Sequence, residues 1–360
     1  MGAAACGYDN SMKRNLEMDT MHYPGRFSAL LKAGVARPAL AAALALFGAL
    51  GAAGAQAAPA VETLSFATVG KGSSLQWPLY IGIAKGFFTD NGVKLDLVSA
   101  PSSAAVQQWI ASGSTMIGIS GLVDPLRAID KGAKVSLIRI ESQAAPYSVM
   151  AKPGVKGLAD LRGKVVSLGG AGDITRVYFE RMVAGKGIKR GDYDPIYAGA
   201  TAARFAALQS GVVDAAILQP PFSFLATANK FVNIGYTADY VKDFPFTGYV
   251  VNTEWGRKNK PLLNGFLNGV ARSIDWFNTD AHRAEAIDIM AAQSGLDRGD
   301  VEQTYDLFRK IRIYDRQGAV NSASIGALVK TLKDTGDIAG TADAARFIDP
   351  ELSSLAAQIK

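Results

Sequence analysis

Short apolar segments alternate with amphipathic segments from residue 63 to residue 235, and this alternation restricts the fold more than any other feature of the chain. In the first block the predicted strands are Thr63–Val69, Val93–Val98, Met116–Ile119 and Val135–Ile140, and the predicted helices are Trp77–Lys85, Ala104–Ser112 and Leu122–Lys131. A helix between successive strands favours parallel pairing, because the crossover returns the chain to the edge where it started. The pattern therefore predicts an α/β fold, with mostly parallel sheets covered by helices on both faces.

The alternation is interrupted at Glu141–Pro146 and resumes through further strands at Tyr147–Ala151, Val165–Leu168, Tyr193–Tyr197, Ala215–Leu218 and Val232–Gly235. After a second interruption at Phe244–Gly248 the pattern is helical, over Leu262–Asn278, His282–Ser294, Arg298–Arg309 and Ile325–Thr335. Two blocks and a helical tail predict two lobes joined by a two-crossing hinge. We predict residues 58–145 as the first part of lobe 1, 146–247 as lobe 2, and 248–360 as the return to lobe 1 with the C-terminal helices.

The N-terminal region has the pattern of a secretory signal peptide with a long lead, covering residues 1–57. Lys32 and Arg37 precede an apolar run over Ala39–Ala53, and Ala55-Gln56-Ala57 provides the small residues of a cleavage site. Met12, Met18 and Met21 are alternative starts that would shorten the lead. We therefore expect export to the periplasm, with cleavage after Ala57.

Cleavage would leave a mature chain without cysteine, because the only one is Cys6. The full chain has a net charge of +6, and the mature chain would have 33 basic and 29 acidic residues, a net charge of +4. These charges are spread along the chain without long basic blocks. Nucleic-acid binding is therefore not predicted.

A glycine-rich turn between a predicted strand and a predicted helix is the strongest candidate for a binding element. Gly169, Gly170 and Gly172 follow the strand Val165–Leu168, and apolar residues have helical spacing from Ile174 onward. Such a turn allows close backbone approach and exposes helix N–H groups, which suits a polar ligand. It is not a dinucleotide fingerprint, because the third glycine is missing. We predict that Gly170, Gly172 and Thr175 line the cleft.

Asp173 leaves two interpretations open. It caps the helix, in which case it occupies N–H groups that an anionic ligand would need. Alternatively, the ligand presents a donor or a cationic group to it. Nitrate is the least favoured ligand, because so small an anion leaves Asp173 without a partner.

Further candidates follow other predicted strands, whose carboxyl ends form ligand clefts in open α/β sheets. The hydroxyl and amide candidates are Ser73, Ser74, Ser120, Thr201 and Gln219, and the aromatic candidates are Trp77 and Phe222. Each has a structural alternative, as a cap or as core packing. Arg139 either forms a buried ion pair with Glu141 or binds a ligand carboxylate or sulfonate.

Four motifs occur in an order that resembles a known family. They are Trp77–Phe88 followed by Asn91-Gly92-Val93, then Ala111–Ser114, Gly157–Lys164 and Leu208–Ala216. The chain resembles the nitrate, sulfonate, taurine and thiamine-precursor (NMT1-like) group of periplasmic substrate-binding proteins of ABC importers. The resemblance implies a type II-like bilobal fold and a monomer that delivers a small molecule to a permease in the inner membrane.

The residues of the chain give little indication of catalysis or of metal binding. The mature chain would keep one histidine, His282, and no thiol, so neither a nucleophile–base pair nor a metal cluster is predicted. No cofactor is expected. Fungal relatives in the same family make the thiamine pyrimidine, and the resemblance implies that they need histidines this chain lacks. The expected ligand is a sulfonate, a carboxylate or a pyrimidine, and the alternative function is an enzyme of the same fold acting on a pyrimidine.

Overall fold

The computed structural model describes residues 61–241 and 245–360, so the predicted signal peptide at 1–57 lies outside the described residues. The strands are β1 (Glu62–Val69), β2 (Val93–Ala100), β3 (Ile117–Gly121), β4 (Val135–Ser142), β5 (Ser148–Ala151), β6 (Val165–Leu168), β7 (Asp194–Tyr197), β8 (Ala215–Leu218), β9 (Val232–Tyr236) and β10 (Thr247–Asn252). The helices are α1 (Trp77–Ala84), α2 (Ser103–Ser112), α3 (Val123–Asp130), α4 (Ile174–Ala184), α5 (Thr201–Gln209), α6 (Phe222–Ala228), α7 (Thr237–Tyr240), α8 (Thr253–Lys258), α9 (Lys260–Phe277), α10 (Arg283–Ser294), α11 (Arg298–Ile311), α12 (Ser322–Asp334) and α13 (Pro350–Ser353).

Two five-stranded sheets form the centres of the two lobes. Their strand orders are β2-β1-β3-β10-β4 in lobe 1 and β7-β6-β8-β5-β9 in lobe 2. The chain thus crosses between the sheets twice, after β4 and after β9. The second predicted interruption begins at Phe244, which lies outside the described residues, and the strand β10 within and after it was not predicted.

Each sheet is mixed, because the strand that follows each crossing is antiparallel to its neighbours. β5 pairs antiparallel with β8 and β9, and β10 pairs antiparallel with β3 and β4. The remaining strands of each sheet run in one direction. Each crossing starts at the carboxyl end of a strand and enters the other sheet at the edge where the carboxyl ends of that sheet's strands lie. The strand that follows must run away from this edge, so it is antiparallel to its neighbours. The mostly parallel sheets predicted from the alternation therefore each contain one reversed strand.

Aromatic residues hold the C-terminal helices against lobe 1. Phe66 in β1 contacts Phe266 in α9, with ring centroids 5.3 Å apart. The Trp77 ring lies 5.3 Å from Phe277 and 5.7 Å from Tyr305, and its Nε1 donates to the Ala286 carbonyl at 2.8 Å. Burial of such large rings is the main stabilising contribution here. Within the described ranges no helix is both long and apolar enough to span a membrane.

The two crossings contact each other through aromatic rings. Tyr147, just before β5, lies 5.1 Å from Phe246, just before β10, in an edge-to-face arrangement. Tyr178 of α4 lies 6.0 Å from Phe246. The Thr237 hydroxyl also donates to the Tyr147 carbonyl at 3.0 Å. The crossings therefore form one packed unit beside the carboxyl ends of the strands.

Candidate functional site

A cavity of about 90 Å³ lies where the carboxyl ends of the two sheets meet. Six of the predicted site residues line it, namely Ser73, Ser120, Asp173, Thr201, Gln219 and Phe222. Ser73 and Ser120 follow or end strands of lobe 1, and the other four follow strands of lobe 2. Both crossings also contribute, through Tyr147 and Phe246. The arrangement places polar groups from both lobes around one small volume.

Hydrogen bonds cross directly from one lobe to the other beside this cavity. The Gln219 Nε2 donates to Ser73 Oγ at 2.9 Å, and Ser74 Oγ donates to the Pro220 carbonyl at 2.7 Å. Ser74 is fully buried in this contact and does not line the cavity. The described structure thus has the lobes in contact, and the predicted binding residue Ser74 is used to join them.

The Gly170 and Gly172 positions line a neighbouring groove rather than the cavity itself. The groove shares Ser102, Asp173 and Gly199 with the cavity. Neither Gly170 nor Gly172 has a positive φ, so left-handed backbone is not the reason for glycine here. A Cβ at Gly172 would lie 1.4 Å from Nη1 of Arg127, which belongs to lobe 1. An arginine of the opposite lobe packs directly against this turn, and a side chain at position 172 would have to displace its guanidinium.

Thr175 closes the glycine turn instead of facing the cavity. Its hydroxyl donates to Asp173 Oδ1 and accepts from the Gly169 N–H at 2.8 Å, and the residue is fully buried. Asp173 caps α4 by accepting from the Thr175 N–H at 2.8 Å. Capping therefore accounts for one carboxylate oxygen of Asp173, Oδ1. The residue also lines the cavity.

Two predicted candidates lie in the core, away from the cavity. Trp77 is enclosed by the aromatic rings of the C-terminal helices described above. Arg139 is fully buried, pairs with Glu141 at 3.1 Å, and donates to the carbonyls of Asp315, Arg316 and Gln317. The Arg139 guanidinium donates to these acceptors inside lobe 1, so it does not reach a ligand in the cavity.

Arg204 lines the cavity and was not predicted. Its Nε donates to the Ile217 carbonyl at 2.8 Å, its Nη2 donates to Thr201 Oγ1 at 2.8 Å, and its Nη1 donates to the Gly199 carbonyl. The sequence contained a signal for it, since Thr201, Arg204, Phe205 and Leu208 share the buried face of α5. An arginine on the apolar face of a helix indicates a buried cation with a specific role.

Tyr147 was also missed, because it was assigned to a strand. Its ring lies 5.7 Å from the Arg204 guanidinium carbon. Burial raises the pKa of the Tyr147 hydroxyl, the Arg204 charge opposes that rise, and the Asp173 carboxylate adds to it. Tyr147 is therefore a neutral hydroxyl at physiological pH, located between a cation and an anion.

Asp124 and Arg127 of α3 form a second charged group, in the groove beside the cavity. Asp124 is 8% exposed, and its Oδ2 has no hydrogen-bond partner. Burial raises the pKa of Asp124 well above its usual value, the Asp173 carboxylate raises it further, and Arg127 lowers it. Among the residues that the structure describes, no group of three or more His, Cys, Asp or Glu side chains could hold a metal ion.

Comparison with known proteins gives a family match and several structural neighbours. Residues 76–284 match the family described as "NMT1/THI5 like". A curated relative from Saccharomyces cerevisiae, named 4-amino-5-hydroxymethyl-2-methylpyrimidine phosphate synthase THI5, is 20% identical over 223 residues, which are 58% of this chain and 64% of the relative. The chain thus spans slightly less than two thirds of the length of this relative.

Two solved structures illustrate the shared fold. The alkanesulfonate-binding protein SsuA from Xanthomonas axonopodis pv. citri bound to MOPS has a TM-score of 0.69 at 17% identity, covering 81% of this chain and 99% of that one. The periplasmic nitrate-binding protein NrtA from Synechocystis PCC 6803 has a TM-score of 0.67 at 16% identity, covering 84% and 89%. At these identities the likeness shows the fold alone, and it confirms the predicted bilobal periplasmic-binding-protein architecture.

Proposed function

This chain belongs to the NMT1/THI5-like family, and on that basis we propose that it is the solute-binding component of an ABC importer. It would capture a small polar organic molecule of the sulfonate, carboxylate or pyrimidine type in the cleft between its lobes. The observation that supports this most is the cavity itself, which polar side chains of both sheets line at their carboxyl ends. Enclosure by two lobes suits capture and release better than a preformed pocket within one lobe.

The proposed working cycle uses the two crossings as a hinge. Opening would break the bonds from Gln219 to Ser73 and from Ser74 to Pro220, while the packed crossings around Tyr147 and Phe246 stay together. Ligand contacts on both lobes would stabilise the closed form, which a permease in the inner membrane would recognise. A cleaved signal peptide at 1–57 would deliver the protein to the periplasm, where it would act as a monomer.

An enzyme acting on a pyrimidine is the second candidate, because the curated relative is named as a synthase. The cavity offers Tyr147, Asp173 and Arg204 as polar groups, but no histidine or cysteine lines it among the described residues. His282 lies elsewhere, stacked on Trp276 with ring centroids 4.4 Å apart. The binding function is therefore the better supported of the two.

The deciding experiment measures binding, compaction and chemical fate of the solute together. Calorimetric titration against a panel of sulfonates, carboxylates and aminopyrimidines should identify one class that binds, and solution scattering should show a smaller radius of gyration with that solute. Mass spectrometry should recover the solute unchanged. Turnover of a pyrimidine would favour the enzyme, and an absence of binding across the panel would contradict the proposed function.

A matched pair of variants on α5 tests whether the cavity is the site. A Cβ at Gly70 in lobe 1 would lie 3.0 Å from the Cβ of Ala200, so Ala200→Phe should hold the lobes apart. Ala203→Phe adds the same ring to an exposed position within α5, three residues after the N-cap Ala200, that does not line the cavity. The first variant should lose binding and compaction, whereas the second should retain both.

A further inference from the structure

One hydrogen bond between the lobes is made by a residue that Tyr314, from the C-terminal region, holds in place. Ser74 donates its hydroxyl to the Pro220 carbonyl of lobe 2 at 2.7 Å, and its own carbonyl accepts from the Tyr314 hydroxyl at 2.7 Å. Ser74 is 1% exposed and Tyr314 is 6% exposed, so both bonds are shielded from water. Burial raises the pKa of the Tyr314 hydroxyl well above its usual value, so this hydroxyl stays protonated and remains a donor.

The backbone of Tyr314 is attached to the place where the two crossings meet. Tyr314 forms an antiparallel bridge with Ser142, the last residue of β4. The Ser142 carbonyl accepts from the N–H of Phe246, which lies on the second crossing, at 2.8 Å. Gln143, the first residue of the first crossing, donates its N–H to the Ile313 carbonyl at 3.1 Å. Tyr314 is therefore bonded to the hinge through its backbone and to the interlobe contact through its side chain.

Residues 313–318 are fixed along the edge of the lobe 1 sheet, where β4 is the outermost strand. The Ile140 N–H donates to the Gly318 carbonyl at 2.8 Å, and the buried Arg139 donates to the carbonyls of residues 315–317. These bonds join the segment to the strand from which the first crossing starts. A change in the position of β4 relative to the crossings is therefore passed to this segment as well.

We infer that Tyr314 is a positioning residue for solute capture, which sets Ser74 against lobe 2 and couples the crossings to the contact that closes the cleft. The inference rests on the proposed function and adds to it a residue that does not line the cavity. The Ser74 carbonyl also accepts from the Trp77 N–H. Loss of the Tyr314 hydroxyl would therefore leave this carbonyl paired but free to shift, and the Ser74 hydroxyl would meet Pro220 less often.

A disulfide that forms only between closed lobes tests this coupling without any solute. Gly70→Cys in lobe 1 and Ala200→Cys in lobe 2 would place two Cβ atoms 3.0 Å apart, slightly less than the roughly 3.5–4.5 Å of a disulfide. Cys6→Ser removes the only other thiol of the chain. In a glutathione redox buffer, the effective concentration of the two thiols then measures how readily the lobes close.

Single hydroxyl deletions in this background identify the residue that matters. Tyr314→Phe keeps the ring, and it should lower the effective thiol concentration at least about threefold, the loss expected from one hydrogen bond, as should Ser74→Ala. Tyr305→Phe is the matched control and should leave the effective concentration unchanged. Tyr305 packs on the same Phe277 ring as Tyr314, but it donates to the Phe277 carbonyl, at 2.8 Å, within lobe 1.

A double-mutant cycle separates positioning from a purely structural role. Tyr314→Phe combined with Ser74→Ala should lower the effective thiol concentration no more than Ser74→Ala alone, because Tyr314 acts through the Ser74 hydroxyl. Additive effects of the two changes would overturn the inference. An equal loss in Tyr305→Phe, or no loss in either Tyr314→Phe or Ser74→Ala, would also overturn it. Because no solute is present, these outcomes are independent of the solute titrations, whose failure would count against the proposed function.

Discussion

Replacing Arg139 by methionine tests whether this arginine is a structural group rather than a ligand-binding one. Methionine preserves much of the length of the side chain but removes its charge and its donors. In the folded protein the Arg139 guanidinium donates to Glu141 and to the carbonyls of residues 315–317, which lie beside β4. The variant leaves the buried Glu141 carboxylate and these three carbonyls without their donor.

The expected loss of folding stability follows from these contacts. Removing one partner of a buried ion pair typically destabilises a protein by about 3–5 kcal/mol, because the other charge remains buried. Burial raises the pKa of Glu141, and the Arg139 charge opposes the rise. Without Arg139 the pKa of Glu141 should rise further. The variant should therefore lose more stability than the original protein as pH rises above the normal pKa range of a glutamate. Stability falls with rising pH there because the folded state binds the proton more tightly.

Urea unfolding at several pH values measures these effects, with the double variant Arg139→Met, Glu141→Leu as the comparison. The double variant should be more stable than Arg139→Met alone, since it contains no unpaired buried carboxylate. Ligand affinity of the folded single variant should stay within about threefold of the original, which is below 1 kcal/mol. A destabilisation below about 1 kcal/mol, or lost affinity with unchanged stability, would refute the structural role.

Two further predictions concern the groove beside the cavity. Gly172→Ala should lower ligand affinity about tenfold, or about 1.4 kcal/mol, because the added Cβ displaces Arg127 and hinders closure of the lobes. Calorimetry should show no such loss for the control Gly185→Ala, because Gly185 has open space around it, and equal affinities of the two variants would contradict the prediction. Asp124→Asn should stabilise the folded protein at neutral pH by at least about 1 kcal/mol, because burial disfavours the carboxylate charge and the amide carries none. Because the pKa of Asp124 is raised in the folded state, the original protein loses stability as pH rises above the usual range of a carboxyl group. The difference in melting temperature between the variant and the original protein should therefore vanish near pH 4. A difference that does not depend on pH would count against a raised pKa for Asp124.

Local sequence determined the elements and their order. Apolar periodicity and glycine ends predicted helix α1 to within one residue and strand β6 at its observed bounds, because backbone propensity and one buried face are properties of contiguous residues. The same reasoning placed six cavity residues at strand ends, since carboxyl ends of parallel strands meet at one edge. It missed β10, because Thr247–Asn252 begins within the interruption of the strand–helix pattern that the sequence shows at Phe244–Gly248.

Only the tertiary structure decided which polar side chains face the cavity. Arg139 and Arg204 are both buried arginines. Arg139 donates to carbonyls about 176 residues away in sequence, whereas Arg204 lines the cavity and forms no ion pair within the described residues. The directions of β5 and β10 likewise follow from the edge at which each crossing enters a sheet. Such features depend on contacts between distant segments, and no periodicity within a short stretch of sequence encodes which distant group a side chain will meet.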